Sequence, residues 1–272
     1  MTGTIVAVVV AVVLAPPLGV AAYLALASER GRRTVIEADG YSLNARVYGE
    51  AHVGGLAPAL LFVSGWNPGG SGWTPSDICA GLAARRLDAV CMTLALRGMG
   101  SPGEIAALTR ADFLGDVTAA YDHLAGLEGV DPDRISVAGE SLGSYLACVL
   151  TAQRPVHALA LRVPTDFPDA GFRDVPQERI AGLKSLEWKR QEHSHVESRA
   201  LDALHAFTGD ILIVASERDS FVPMQTTQNY LSSAPDPKKV DYRLMRRAGH
   251  GLGPARQIEF IRVLLEWLGR HA

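Results

Sequence analysis

Gly139-Glu140-Ser141-Leu142-Gly143 puts a serine between two glycines, where the apolar run Ile135–Ala138 gives way to a helical pattern beginning at Leu142. A strand–turn–helix context gives a G-x-S-x-G motif its meaning. The glycines leave room for a sharp turn that lifts the serine oxygen above a sheet and lets the next N–H open the helix. A plain tight turn with a helix-capping serine would carry the same letters. A serine hydroxyl is a weak nucleophile at neutral pH and requires a base, which in turn requires an orienting group. Of the eight histidines, only His250 combines a position just after an apolar run with glycine on both sides, Gly249 and Gly251. Asp219 follows the run Ile211–Ala215 and precedes Ser220-Phe221-Val222-Pro223, where a carboxylate can accept the Nδ1 hydrogen of His250; Glu217 is the fallback. Ser64-Gly65-Trp66-Asn67-Pro68-Gly69-Gly70 follows another apolar run. There the Trp66 N–H, with that of Leu142, can serve a developing oxyanion, an effect worth roughly 3–4 kcal/mol per donor. A plain Gly-rich connection is the alternative.

These residues need a scaffold that gathers strand ends. Short apolar runs occur at Ala59–Val63, Ala89–Leu94, Ile135–Ala138, Ala158–Leu161, Ile211–Ala215 and Val240–Met245. Continuous apolar runs of this length read as strands buried on both faces. Helical patterns lie between or after them at Ser76–Arg86, Arg110–Leu127, Leu142–Gln153, Val196–Phe207, Thr226–Ser232 and Gln257–Leu268, and Asp39-Gly40 marks a hairpin between Thr34–Ala38 and Leu43–Tyr48. Alternating strand and helix predicts an α/β fold, a predominantly parallel sheet flanked by helices, with ligands beyond the carboxyl ends of the strands. Residues 29–272 read as one domain, and the 47 residues from Pro164 to Asp210, with Lys184, Trp188, Lys189 and Arg190, have the length of a small helical cap.

The first 28 residues are different in kind. They hold no charged side chain, and twenty of the twenty-three residues from Ile5 to Ala27 are apolar. As a helix this stretch reaches roughly 34 Å, enough to cross a bilayer core of ~30 Å. Pro16 and Pro17 would kink it. A transmembrane anchor is expected, and Arg30, Arg32 and Arg33 behind it place the domain on the cytoplasmic side. A cleaved signal peptide ending near Ala25-Leu26-Ala27 is the competitor, although no basic residue opens the segment.

The net charge of -3, with 26 Lys+Arg against 29 Asp+Glu, disfavours a nucleic-acid binder, which would carry a basic cluster. Cys79, Cys91 and Cys148 are too scattered for a disulfide framework or zinc knuckle. No Gly-Lys-Ser/Thr phosphate loop follows a strand, and His193-Ser194-His195 lacks a third ligand at fixed spacing, so neither a nucleotide nor a metal is expected. The expectation is a cofactor-free enzyme acting on a small molecule.

Taken together, Ser64-Gly65-Trp66, Arg97-Gly98-Met99-Gly100-Ser101, Gly139–Gly143, Asp219 with Val222-Pro223, and Gly249-His250 resemble the α/β-hydrolase superfamily from Thr34 to the C-terminus. The approach Val130–Ser141 is similar to that of dienelactone-hydrolase-like proteins and of prolyl-oligopeptidase-type catalytic domains. Dienelactone hydrolases proper carry a cysteine where this chain has Ser141, and the oxyanion loop has Ser64 in place of the common His-Gly form. No β-propeller fits in this length. The resemblance implies a serine hydrolase. A carboxylic ester is the expected substrate, a peptidase or amidase is the near alternative, and a non-catalytic membrane-tethered module is the distant one.

Overall fold

The computed structural model describes residues 31–38, 40–50, 55–67, 75–99, 102–176 and 183–271. The segment 1–28, expected to be a membrane anchor, lies outside the described residues. Among those described, no helix is long and apolar enough to cross a membrane.

Among the described residues eight strands form one sheet: β1 (Arg32–Ala38), β2 (Tyr41–Tyr48), β3 (Ala57–Val63), β4 (Val90–Leu94), β5 (Val130–Glu140), β6 (Ala158–Arg162), β7 (Asp210–Ser216) and β8 (Val240–Met245). The helices of the described residues are α1 (Pro75–Leu87), α2 (Pro102–Ile105), α3 (Arg110–Ala125), α4 (Leu142–Thr151), α5 (Leu183–Lys189), α6 (Arg199–Ala206), α7 (Met224–Ser233) and α8 (Pro254–His271). The spatial strand order is β1-β2-β4-β3-β5-β6-β7-β8, in which β1, β2 and β4 pair antiparallel and the remainder parallel. The expected α/β architecture is therefore present, and the hairpin is paired from Ala38↔Tyr41 outward.

Period-two alternation in the central strands explains the two layers. Leu61, Val63, Ile135, Val137, Leu159, Leu161, Ile211 and Ile213 pack with α3, α4 and α6 on one face. Their neighbours Leu60, Phe62, Ala138, Ala160, Leu212 and Val214 pack with α1 and α8 on the other. Both sets are apolar because both faces are covered. In α8 the buried Phe260, Ile261, Leu264, Leu265 and Leu268 recur at helical spacing and make one apolar stripe. Helix α3 starts where the Thr109 side chain accepts from the Asp112 N–H and the Asp112 side chain accepts from the Thr109 N–H, a reciprocal cap worth about 1 kcal/mol.

Two sequence expectations change here. The helix read over Val196–Phe207 is a 3₁₀ turn at His195–Glu197 followed by α6, because Ser198 is extended (φ -142, ψ 134) and spends its hydroxyl on Asp166. The span from Pro164 to Asp210 is not all cover, since Leu201 and Leu204 of α6 belong to the core on the α4 side of the sheet.

Candidate active site

The carboxyl ends of β3, β5, β6, β7 and β8 bring the chemistry-bearing residues to one rim. Ser141, between β5 and α4, has φ 54 and ψ -116, a left-handed backbone that side chains other than glycine rarely take and that surrounding structure must hold in place. The flanking glycines are required by contact. A Cβ on Gly139 would lie 2.4 Å from the Gly143 carbonyl oxygen, and one on Gly143 only 2.0 Å from that of Val63. The turn is fixed by the Ser141 N–H, which donates to the Arg162 carbonyl at 2.9 Å, and by the Ser144 hydroxyl, which reaches the carbonyls of Gly139 (2.7 Å) and Arg162 (3.0 Å). Leu142 is the first residue of α4, where backbone N–H groups have no partner inside the helix.

Asp219 and His250 come together as the spacing of strand ends predicts. His250 Nδ1 donates to Asp219 Oδ2 at 2.8 Å, while Asp219 Oδ1 accepts the N–H groups of Phe221 and Val222, each at 2.8 Å. Burial works to raise this carboxyl's pKa, but the bond from His250 and the two backbone donors outweigh it and hold the group below the ordinary carboxylate range. With Nδ1–H engaged, Nε2 is the ring nitrogen left to take a proton. The loops are stitched to each other by Glu217 N–H to the Met245 carbonyl (3.1 Å) and Arg218 N–H to that of Ala248 (2.8 Å). The fallback carboxylate, Glu217, faces away: it accepts the Arg247 N–H at 2.7 Å and pairs with Arg246. Phe221, 65% exposed, tilts over His250 with ring centres 5.2 Å apart.

The loop at Ser64–Asn67 lies against the turn: a Cβ on Gly65 would be 3.1 Å from that of Ser141. Trp66 packs edge-on against Phe113 at 5.9 Å, which pins the backbone that carries its N–H. The Asn67 N–H donates to Met99 Sδ at 3.4 Å. Met99 itself sits in the loop after β4. There Arg97 donates through Nε (2.7 Å) and backbone N–H (2.8 Å) to Asp116, whose carboxyl burial pushes up to about 6.

Two residues that sequence reasoning passed over belong to this rim. Arg162 ends β6, and its guanidinium donates to Glu140 Oε1 and to the His250 carbonyl. Asp166, in the loop after β6, accepts from the Ser198 hydroxyl and from Trp188 Nε1 at 3.3 Å, which ties the covering segment to the sheet. A charged residue closing an apolar run and an aspartate just beyond it were the available signals. Lys189 of α5 donates to the Phe221 carbonyl at 3.4 Å and lies 5.2 Å from the Phe167 ring; burial pushes its amine down to about 8.

His193 and His195 are engaged locally. His193 stacks on Trp188 at 3.6 Å with Nε2 on the Trp188 carbonyl, and His195 stacks on His205 at 3.9 Å. Among the described residues no cluster of three metal-ligating side chains occurs. The three cysteines are free and buried, and burial drives their thiol pKa values up.

Comparison with known proteins matches residues 104–272 to the prolyl oligopeptidase family. An uncharacterized protein of Mycobacterium tuberculosis is 28% identical over 235 residues, covering 81% of this chain and 72% of that protein. The fold is similar to that of Pyrococcus horikoshii acylaminoacyl peptidase (TM-score 0.67, 17% identity), with 89% of this chain and 42% of that one covered. It is also similar to a thermostable carboxylesterase cloned from a metagenomic library (TM-score 0.63, 22% identity), with 91% of each chain covered. A puromycin-hydrolyzing peptidase of M. tuberculosis aligns with TM-score 0.66 at 19% identity, over 90% of this chain and 40% of its own. The chain thus spans about two fifths of the length of the two peptidases. At these identities the structural likeness establishes the fold.

Proposed function

The chain belongs to the prolyl oligopeptidase family, a serine hydrolase of the α/β-hydrolase fold, and on that premise we propose that it cleaves a carboxylic ester through an acyl-enzyme on Ser141. The observation that carries the reading is the 2.8 Å bond from His250 to a buried Asp219, on the same rim as the strained Ser141. His250 Nε2 takes the proton as Ser141 Oγ bonds to the carbonyl carbon, and Asp219 stabilises the imidazolium. The oxyanion receives the N–H groups of Leu142 and Trp66. Collapse expels the alcohol with the proton from His250, and water attacks the acyl-enzyme with His250 again as base. No cofactor enters this sequence.

An ester is preferred because its leaving group needs less protonation than an amine. The exposed Phe221 ring beside His250 also offers an apolar wall to the acyl or alcohol part. Amide cleavage is the second reading, supported by the two longer relatives described as peptidases. A panel of p-nitrophenyl esters of increasing acyl length, run beside aminoacyl p-nitroanilides, separates the two. The ester reading expects turnover of esters, absent in Ser141→Ala, and little of anilides. Preferential anilide turnover selects the peptidase reading.

We also propose that residues 1–28 anchor the domain at the cytoplasmic face of a membrane, a reading supported by the uncharged apolar run and by Arg30, Arg32 and Arg33 behind it. Protease added to intact cells should leave the domain whole, and digestion would contradict this orientation.

A further inference from the structure

Arg162 is a buried cation at the centre of the rim, with only 2% of its side chain exposed. Its guanidinium is a rigid planar fork, and the two tines go to different loops. Nη1 donates to Glu140, the residue immediately before Ser141, and Nη2 donates to the backbone carbonyl of His250. The backbone carbonyl of Arg162 itself accepts the Ser141 N–H at 2.9 Å and the Ser144 hydroxyl at 3.0 Å. Phe260 of α8 lies 5.7 Å from the guanidinium carbon and packs beside it.

A buried ion pair is poor evidence of a stabilising purpose, because apolar residues of equal volume often serve a fold as well. The partners are the informative part. A strand-end charge needing acceptors could find them anywhere around it. Here one acceptor is the neighbour of the serine and the other is the histidine's own backbone, 88 residues further along the chain.

We infer that Arg162 is a positioning residue: its fork bridges the Ser141 turn to the His250 loop and sets the separation across which the proton moves. The inference rests on the Ser141–His250 reading above and assigns no contact with substrate. Because Arg162 acts on distance between reacting groups, its loss lowers kcat and leaves KM nearly alone. A purely structural residue would lower the fraction folded and leave the turnover of the folded molecules intact.

The test uses the full chain with Arg162→Met, Arg162→Lys and Glu140→Gln, measuring steady-state ester turnover per folded molecule alongside melting curves. Arg162→Met is expected to lower kcat about 100-fold, the order of magnitude that follows from misplacing reacting groups by about 1 Å. KM is expected to move less than about threefold. Arg162→Lys, which keeps the cation but reaches one partner at a time, should recover part of the loss. Glu140→Gln, at a partly exposed position, should lose about tenfold in kcat while melting close to wild type. If Arg162→Met fails to fold, the two milder variants decide. Wild-type kcat in folded Arg162→Lys and Glu140→Gln, or a rise in KM at constant kcat, overturns the inference while the serine hydrolase reading stands. A wild-type protein whose Ser141→Ala variant turns over ester equally well overturns both.

Discussion

Asp166 and Asp219 invite comparison because they are the same residue type, follow adjacent parallel strands, and are both nearly sealed from solvent. Their environments push them in opposite directions. Asp219 is held below the ordinary carboxylate range by His250 and two backbone donors working against burial, whereas burial raises Asp166 and its donors from Ser198, Phe167 and Trp188 only moderate the rise. One is held charged against His250. The other fastens the covering segment to the sheet. Burial of a carboxylate at a strand end therefore does not mark a catalytic group; the identity of its partner does.

The largest separation should appear in turnover. Asp219→Asn is expected to lower kcat/KM about 10⁴-fold, because an amide holds His250 in the wrong tautomer while the geometry survives. Its melting temperature should fall only by the modest share that the ionised carboxylate contributes. Asp166→Ala reverses the pattern: leaving the Ser198 hydroxyl and the Trp188 N–H without their acceptor should cost about 1–3 kcal/mol of stability, read from denaturant midpoints. If Asp166→Ala instead abolished turnover in folded protein, the two carboxylates would not be distinct in kind.

The pH dependence of those stability losses sharpens the contrast. A carboxyl whose native pKa is depressed contributes stability above its unfolded value of 3.8 and loses it as pH falls through the native value. The penalty of Asp219→Ala should thus be constant above about pH 5 and shrink toward pH 3. A raised carboxyl contributes most below 3.8 and less as pH climbs through its native value, so the penalty of Asp166→Ala should be larger at acid pH than at neutral. Parallel pH profiles for both variants would contradict the assignment.

Smaller effects concern the groups around the pair. Lys189 feels the negative charge of both carboxylates, yet burial keeps its amine near pKa 8. Its protonated form is the disfavoured one in the folded protein. Wild-type stability should rise as pH climbs from about 8 to about 10.5, and Lys189→Met should gain on the order of 1 kcal/mol at pH 7 that fades across this window. Glu217→Gln, facing Arg246 and Arg247 rather than His250, should change kcat by less than about threefold.

Much of the scaffold was legible because the central strands are apolar on both faces, so each reads as a short continuous apolar run. β8 falls on the expected bounds Val240–Met245, and β6 extends the expected run by Arg162 alone. β5 starts five residues before its apolar run, since Asp131-Pro132-Asp133 hides a segment that pairs with β3 across a register shift at Ala57/Ala59. Asp219 and His250 were legible as post-strand residues of suitable type. Arg162 and Asp166 were not, because their meaning lies in partners 88 and 32 residues away, and no local pattern reports which loops a buried charge will bridge.

We propose Ser141 as a nucleophile activated by His250. Incubating the full chain with a fluorophosphonate probe and mapping the adduct by mass spectrometry tests it most directly. One adduct is expected, on Ser141, formed far more slowly in His250→Ala. A folded protein that stays unlabelled, or that carries the adduct on another residue, would contradict it.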